Sequence, residues 1–309
     1  MAGYTDSAMR ALCHRMGAEG TVTEMVSAKA VVYRDKKTIQ LGKIAPEEGA
    51  VLLQIFGKEP SVMAEAAAML AEGYCGTPPF GIDINMGCPV PKIVGNGEGS
   101  ALMREPALAE KIVRAVRRAL PPDMPLTVKL RLGWDSEHRN AREVAEAVTR
   151  AGAEAVFLHG RTRAAMYGGR ADWEAIARLA EGLSVPVIGN GDITTAEEAA
   201  LRLRESACYG LMIGRGAVGN PFLFREVAAL LAGEPLPPPP SDRDKVSTAL
   251  CQLRAAIAEK GETVAVREAR KHMAAYVHGL RGAPRLRAAL HLAESYREVE
   301  ELFLSVLSL

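Results

Sequence analysis

The chain has 309 residues, of which 48% are hydrophobic and 24% charged, with a formal net charge of +1. These ordinary values exclude a fibrous or disordered polymer and leave room for one barrel-sized domain plus a small addition. A near-zero net charge gives no global sign of nucleic-acid binding, so any such surface must come from local clustering.

A helical pattern begins at Ser7, preceded by only six residues. Strand-like runs follow at 20–24, 51–56, 81–85, 126–131, 155–159, 185–190 and 211–215, separated by Ala-rich amphipathic helical stretches. Ser61 and Asp172 stand where helices should start, and Gly17, Gly73, Gly152 and Gly182 where they should stop. Strict alternation predicts a parallel sheet with helical crossovers. Seven strands are one short of a closed (β/α)8 barrel, which we explain by a first strand largely missing from this chain. An open doubly wound sheet is the other reading.

The α/β run ends near residue 233, giving a catalytic domain over 1–233. The Pro-rich stretch 234–242 can be neither helix nor inner strand and predicts a stiff spacer. From 243 to 309 the pattern is helical only, with helices expected at about 243–260, 263–280 and 284–308. Neither a signal peptide nor an apolar run of roughly 18 residues is apparent, so a cytoplasmic location is expected.

In a parallel barrel the active site forms at the C-terminal ends of the strands. Here the runs end in Glu24, Gln54, Asn85, Lys129 with Arg131, His159, Asn190 and Arg215, which points to a polar pocket. Two glycine-bearing loops, Gly189-Asn190-Gly191-Asp192 and Ile213-Gly214-Arg215-Gly216, suit a phosphate group. Gly214 to Gly219 also matches the G-x-G-x-x-G dinucleotide pattern, but a proline-rich stretch rather than a strand follows, so a Rossmann unit cannot form there. The cluster Gly95-Asn96-Gly97-Glu98-Gly99 follows no strand and reads as a flexible loop.

The five cysteines show no C-x-x-C spacing, which argues against a disulfide framework and a zinc site; no metal is expected. Cys13 and Cys208 read as buried structural cysteines on helices. Cys88, in the Gly/Pro-flanked loop after 81–85, reads as a nucleophile with His159 as base, as a proton donor, or as a structural residue.

Several of these segments resemble the bacterial tRNA-dihydrouridine synthases, with the B subgroup closest. They are Met1-Ala2-Gly3-Tyr4-Thr5-Asp6, Asp83-Ile84-Asn85-Met86-Gly87-Cys88-Pro89, Lys129-Leu130-Arg131-Leu132-Gly133-Trp134, His159-Gly160-Arg161-Thr162-Arg163, Gly189-Asn190-Gly191-Asp192-Ile193 and Met212-Ile213-Gly214-Arg215. The resemblance runs through the tail segment Arg267-Glu268-Ala269-Arg270-Lys271-His272.

It implies an oxidoreductase that holds FMN in the barrel mouth, takes reducing equivalents from NADPH, and reduces uridines in tRNA to dihydrouridine. Hydride passes from the reduced flavin N5 to uracil C6 and a proton from Cys88 to C5. By the same resemblance Met1, Ala2, Gln54, Lys129 and His159 contact the flavin. Asn190, Gly191, Asp192, Gly214 and Arg215 hold its phosphate, and Asn85 and Arg131 lie at the substrate uridine. Family members carry a further segment upstream, with strand one and a proline that helps hold the flavin. Either the start is misassigned or FMN binding is weakened.

Between Thr263 and Ala293 the tail has Arg267, Arg270, Lys271, Arg281, Arg285 and Arg287 against a single acid, Glu268. Arg267, Arg270 and Lys271 are spaced i, i+3, i+4 on one predicted helix face, where tRNA phosphates should land. No protein partner is implied. A different FMN barrel, such as a dihydroorotate dehydrogenase, leaves this basic tail unexplained. A non-enzymatic RNA-binding protein leaves the polar strand ends unexplained.

Overall fold

The computed structural model describes residues 1–307. Eight strands pair in parallel: β1 (Gly20–Val22), β2 (Val26–Ser27), β3 (Ala50–Phe56), β4 (Gly81–Asn85), β5 (Leu126–Arg131), β6 (Ala155–His159), β7 (Val187–Asn190) and β8 (Gly210–Met212). Their order is β1-β3-β4-β5-β6-β7-β8, with β2 also on β3. All seven expected strands are present. The 185–190 segment starts later, at Val187, because Pro186 has no N–H to give the ladder. The 211–215 segment runs Gly210–Met212 instead, since Arg215–Ala217 turns into a 3-10 helix. The short β2 was not expected: the chain leaves the sheet after β1 and rejoins it where Val26 pairs with Ile55.

Helices fill the crossovers. Asp172 caps Trp173–Gly182 through Ala175 N at 2.9 Å, as expected. Ser61 does not cap its helix, which begins one residue earlier at Pro60 because proline at the first helical position has no N–H to leave unpaired. Gly17, Gly73 and Gly152 take φ of 104°, 85° and 109° just past helix ends, whereas Gly182 is the last helical residue. Cys13 is buried on helix Ser7–Arg15; Cys208 is buried too, but lies just beyond helix Ala196–Ser206.

Side-chain alternation divides the sheet into two faces. Leu53, Ile55, Ile82, Ile84, Val128, Leu130, Val156 and Leu158 join Met63, Leu70, Ile112, Val144 and Ile176 of the surrounding helices in one apolar core. Each fully buried side chain of this kind contributes about 1.5–3 kcal/mol. The alternate positions Gln54, Asp83, Asn85, Thr127, Lys129, Arg131 and His159 therefore face the barrel interior, and all except Lys129 are buried to the same degree as the core.

Residues 1–5 pair with no strand. They form a turn in which Met1 O accepts from Tyr4 N and Thr5 N at 2.9 and 3.1 Å. This turn lies between the two sheet edges: Gly3 N donates to the Glu24 carboxylate beyond β1, and a Cβ on Gly214 beyond β8 would lie 3.4 Å from Met1 Sδ.

The expected helical domain contains four helices, Asp242–Lys260, Glu262–Tyr276, Ala283–Leu290 and Tyr296–Leu307. The single helix expected at 284–308 is broken at 291–295, where Arg270 donates to Ala293 O through Nε (3.0 Å) and a terminal nitrogen (2.7 Å). Helix Ser7–Arg15 is shared between the two units. Its Leu12 lies in the apolar cluster with Leu253, Val266 and Phe303, while Met9 and Cys13 pack with Ala18 and Ala217 on the barrel side. No described helix is long and apolar enough to cross a membrane.

Candidate active site

A polar layer crosses β3, β4 and β5, where Gln54 is in register with Asp83, and Asp83 with Thr127. Thr127 donates its hydroxyl to Asp83 Oδ1 (2.6 Å) and Gln54 Nε2 donates to Asp83 Oδ2 (2.7 Å). One layer nearer the mouth, Asn85 Nδ2 donates to Gln54 Oε1 (2.8 Å). Gln54 is thus an interior mid-strand residue rather than a strand end.

Asn85 Oδ1 in turn accepts from Gly87 N (3.1 Å) and Cys88 N (2.8 Å). The Cys88 carbonyl is held from the other side by Ser100 N (3.0 Å) and Ser100 Oγ (2.8 Å). Gly99 takes φ +60°, and a Cβ there would approach Cys88 O to 2.9 Å. The glycine cluster at 95–99 is therefore no free loop. It joins helix Pro91–Val94 to the 3-10 helix Gly99–Arg104 and supports the cysteine from beneath.

The Cys88 thiol is half-buried, and burial pushes its pKa up, with Val90 N–H and Arg131 pulling only partly against this. Among the described residues no hydrogen bond joins Cys88 to His159. A thiol kept protonated and without a base suits proton donation better than nucleophilic attack.

Lys129, in register with Asn85, has an amino group with no hydrogen-bond partner among the described residues. Burial and then Arg131 lower its pKa to about 7, with Asp83 opposing. Burial also lowers His159 to about 2, assisted by Lys129, Arg131, Arg161 and Arg215, so this imidazole is neutral. Arg131 is only 2% exposed and is committed to the mouth loops: Nε donates to Gly87 O (2.7 Å), and one terminal nitrogen to Thr162 O (2.9 Å) and Met166 O (2.7 Å).

The sequence reading gives no role to two residues of this region, although Arg161 stands in a segment that carries the resemblance. Arg161 is buried and reaches Asp192 Oδ2 (2.7 Å), Gly168 O and Gly169 O, tying the loop after β6 to the loop after β7. Tyr167 is half exposed at the mouth, between the guanidiniums of Arg131 and Arg215 at 5.5 and 5.4 Å. Neither stands at a strand end. The available signal was an aromatic in a loop of three arginines, Arg161, Arg163 and Arg170.

The glycine loops after β7 and β8 come together as expected. Asn190 Nδ2 donates to Met212 O (2.7 Å), bridging the strands. Asp192, at φ +55°, accepts from Ala171 N and Arg161 through Oδ2 and from Arg215 (3.1 Å) through Oδ1. Gly191 has φ +142°, and among the described residues its N–H and those of Asp192 and Gly214, which lie outside the strands, donate no backbone hydrogen bond. Around Gly214 a Cβ would meet only Met1 Sδ within 4 Å, so the backbone there is open to a ligand. Met1 borders this opening through Sδ, while Ala2 is exposed.

The three tail cations do not form one free face. Arg267 is exposed and unpaired among the described residues, Arg270 is spent on Ala293 O, and Lys271 Nζ lies 4.7 Å over the Tyr4 ring. Helix spacing puts them on one side, but packing assigns them different tasks. Lys271 also lines a cleft of about 720 Å³ together with Lys245, His278, Arg287, Asn220 and Pro240, between the barrel end, the proline spacer and the helical domain.

A model of the family described as Dihydrouridine synthase (Dus) matches residues 1–307. A probable tRNA-dihydrouridine synthase of Treponema pallidum (strain Nichols) is 40% identical over 289 residues, 91% of this chain and 84% of that relative. The tRNA-dihydrouridine synthase B of Xanthomonas campestris pv. campestris is 40% identical over 295 residues, 96% of this chain and 87% of that relative. Among solved structures, an old yellow enzyme homologue from Zymomonas mobilis superposes with a TM-score of 0.53 at 12% identity, covering 76% of this chain and 85% of that one. This last likeness carries the fold alone.

Proposed function

The chain belongs to the dihydrouridine synthase family, and from that premise we propose that it reduces uridines of tRNA to 5,6-dihydrouridine using FMN and NADPH. The observation that carries the reading is the Cys88 loop, which holds a thiol kept protonated by burial at the end of β4, the strand whose Asn85 is in register with Lys129. The residues present fit a flavin mononucleotide. Gly191, Asp192 and Gly214 offer free N–H groups and Arg215 a guanidinium to the phosphate, and Gln54, Lys129 and His159 line the interior for the ring. Bound there, FMN first reduced by NADPH would supply hydride to uracil C6 and return to its oxidised form.

The chain's own residues then handle position and proton. Cys88 holds a proton for C5, where hydride addition leaves the negative charge, and gives it up as a general acid. Lys129 offers positive charge to whatever anion develops beside it. Asn85 and the mouth shaped by Arg131 receive the uracil. Reaching this site requires a flipped-out base, and the cleft lined by Lys245, Lys271 and Arg287 suits the phosphates of the RNA that delivers it.

Nucleoside mass analysis of unmodified tRNA after incubation with protein, FMN and NADPH tests the reading. Dihydrouridine is the expected product. Flavin oxidation without any dihydrouridine, or turnover of orotate derivatives instead, would sink it.

A further inference from the structure

Backbone chemistry fixes which way two side-chain amides point. A backbone N–H only donates, so the amides of Gly87 and Cys88 require an acceptor, and Asn85 must turn Oδ1 toward them. Asn85 Nδ2 then faces Gln54, which must offer Oε1 at 2.8 Å. Gln54 Nε2 is left to face Asp83 at 2.7 Å, where only an acceptor serves. The other carboxylate oxygen accepts from Thr127. Asp83 is 1% exposed and is a charged group the proposed chemistry does not otherwise use.

We propose that Asp83 is a positioning residue: its buried carboxylate secures at the inner end the direction that the Gly87 and Cys88 amides impose on the Gln54–Asn85 relay, and so steadies the placement of the Cys88 loop. A neutral amide at position 83 both donates and accepts, so the relay could run either way. Run backwards, it sets Asn85 Nδ2 against two backbone N–H groups and leaves both without an acceptor. An acceptor-only group at the inner end removes that alternative. Burial raises the Asp83 pKa, and the Thr127 and Gln54 donors with the nearby charge of Lys129 oppose this in part. Because both oxygens face donors, the geometry calls on the carboxyl as an acceptor at each. The inference rests on the proton-donor reading of Cys88 only for its catalytic consequence. The placement of the loop can be measured without turnover, so the two can fail separately.

The test is alkylation of the folded full-length protein with iodoacetamide, resolved by site with peptide mass spectrometry. Asp83→Asn should speed alkylation of Cys88 by about tenfold, the equilibrium worth of one such hydrogen bond. Exposed Cys251 serves as an internal control and should keep its rate. Combining Asp83→Asn with Gln54→Glu exchanges donor and acceptor: the amide at 83 now donates to the carboxylate at 54, which still accepts from Asn85. That pair should bring the Cys88 rate back toward wild type. A merely space-filling Asp83 predicts an unchanged rate in Asp83→Asn, or a pair worse than either single change, and either result overturns the proposal. Should Asp83→Asn not fold, Gln54→Glu alone is compared with the pair. The single change sets two carboxylates face to face and should speed Cys88 alkylation; a pair as fast as that single change overturns the proposal.

Discussion

Lys260 Nζ lies 2.7 Å from Asp6 Oδ2, joining residues 254 positions apart in the chain. The other oxygen of Asp6 caps helix Ser7–Arg15 through Met9 N at 3.0 Å, so one carboxylate both starts the shared helix and docks the helical domain. Burial disfavours the Lys260 ammonium, but Asp6 and Glu268 more than offset this and its pKa lies above the ordinary lysine value. Both members of the Asp6 pair are largely covered, at 14% and 18% exposure, so this is no ordinary surface bridge. Lys260→Met should lower stability by about 1–3 kcal/mol, mostly through the stranded Asp6. Urea unfolding measures it; an unmoved midpoint would show the docking rests on apolar packing alone.

His272 predicts an acid-sensitive domain junction. It is buried, its Nδ1 lies 3.2 Å from Gln252 Nε2, and Tyr276 donates to Gln252 Oε1 at 2.8 Å. The Gln252 amide is thereby oriented to donate to Nδ1, which requires a neutral imidazole. Burial lowers its pKa to about 4 from the ordinary 6.5, with Asp6 opposing. A depressed folded-state pKa means the stabilisation is full above pH about 6.5 and is lost as pH falls toward 4. The loss is on the order of 3 kcal/mol for a shift of this size. Melting temperatures of wild type and His272→Asn across this window check it. The substituted protein should show the shallower decline, and parallel curves would assign the acid sensitivity elsewhere.

The sequence carried the fold further than it carried the site. Gln54 reads as a strand end, whereas it sits mid-strand beside Asp83 and Thr127 in an interior polar layer that the strand-end reading does not reach. The strand-end rule did point to Asn85, Lys129 and His159, which the sheet register sets on neighbouring strands at the same end. It could not say that Arg131 and Arg270 are consumed by carbonyl groups, because the loops that supply those carbonyls are distant in sequence. Nor could helix periodicity show the break at 291–295, since an apolar stripe continues through Leu290 and Val299 on either side. The 95–99 glycines read as slack because their partner, Cys88 O, is a backbone atom that leaves no mark in the sequence.

That division between Arg267 and Arg270 gives opposite expectations for two adjacent arginines of one helix. Arg267→Ala should reduce the slope of log affinity for tRNA against log salt by roughly one unit, with the melting temperature unmoved. Arg270→Ala should leave the slope nearly intact and lower the melting temperature, because Ala293 O loses both donors. Equal effects on the slope would restore the picture of one continuous basic face.

Arg215 should govern the phosphate end of the flavin. Its side chain is 57% exposed, held on Asp192 at 3.1 Å and against Tyr167, so it can turn to an incoming anion without unpacking a core. Arg215→Ala should weaken FMN binding about tenfold or more, the worth of one charge-assisted bond. Riboflavin, which lacks the phosphate, should bind both proteins alike. Fluorescence quenching with the two flavins separates these outcomes, and a matched loss for riboflavin would place Arg215 at the ring instead.

Cys88 carries the last expectation. If it gives its proton to C5, Cys88→Ala should leave FMN binding and NADPH-driven flavin reduction intact. Reoxidation of the reduced flavin by tRNA should slow by about two to four orders of magnitude, the range for a positioned general acid. Cys88→Ser should be nearly as slow, because a hydroxyl is a far weaker acid than a thiol. Burial holds the thiol protonated into the alkaline range, so the tRNA half-reaction should keep its rate up to at least the ordinary thiol pKa and fall only above it. A purely structural cysteine predicts something else. Asn85 and Ser100 still hold the backbone in Cys88→Ala, so any effect would come from the lost packing of the half-buried sulfur and would show in flavin content or melting before chemistry. Stopped-flow absorbance, read separately for the NADPH and tRNA half-reactions, distinguishes the two. A wild-type rate of tRNA reduction in Cys88→Ala would pass the acid role to solvent or to Lys129, since the neutral His159 has no imidazolium proton to offer.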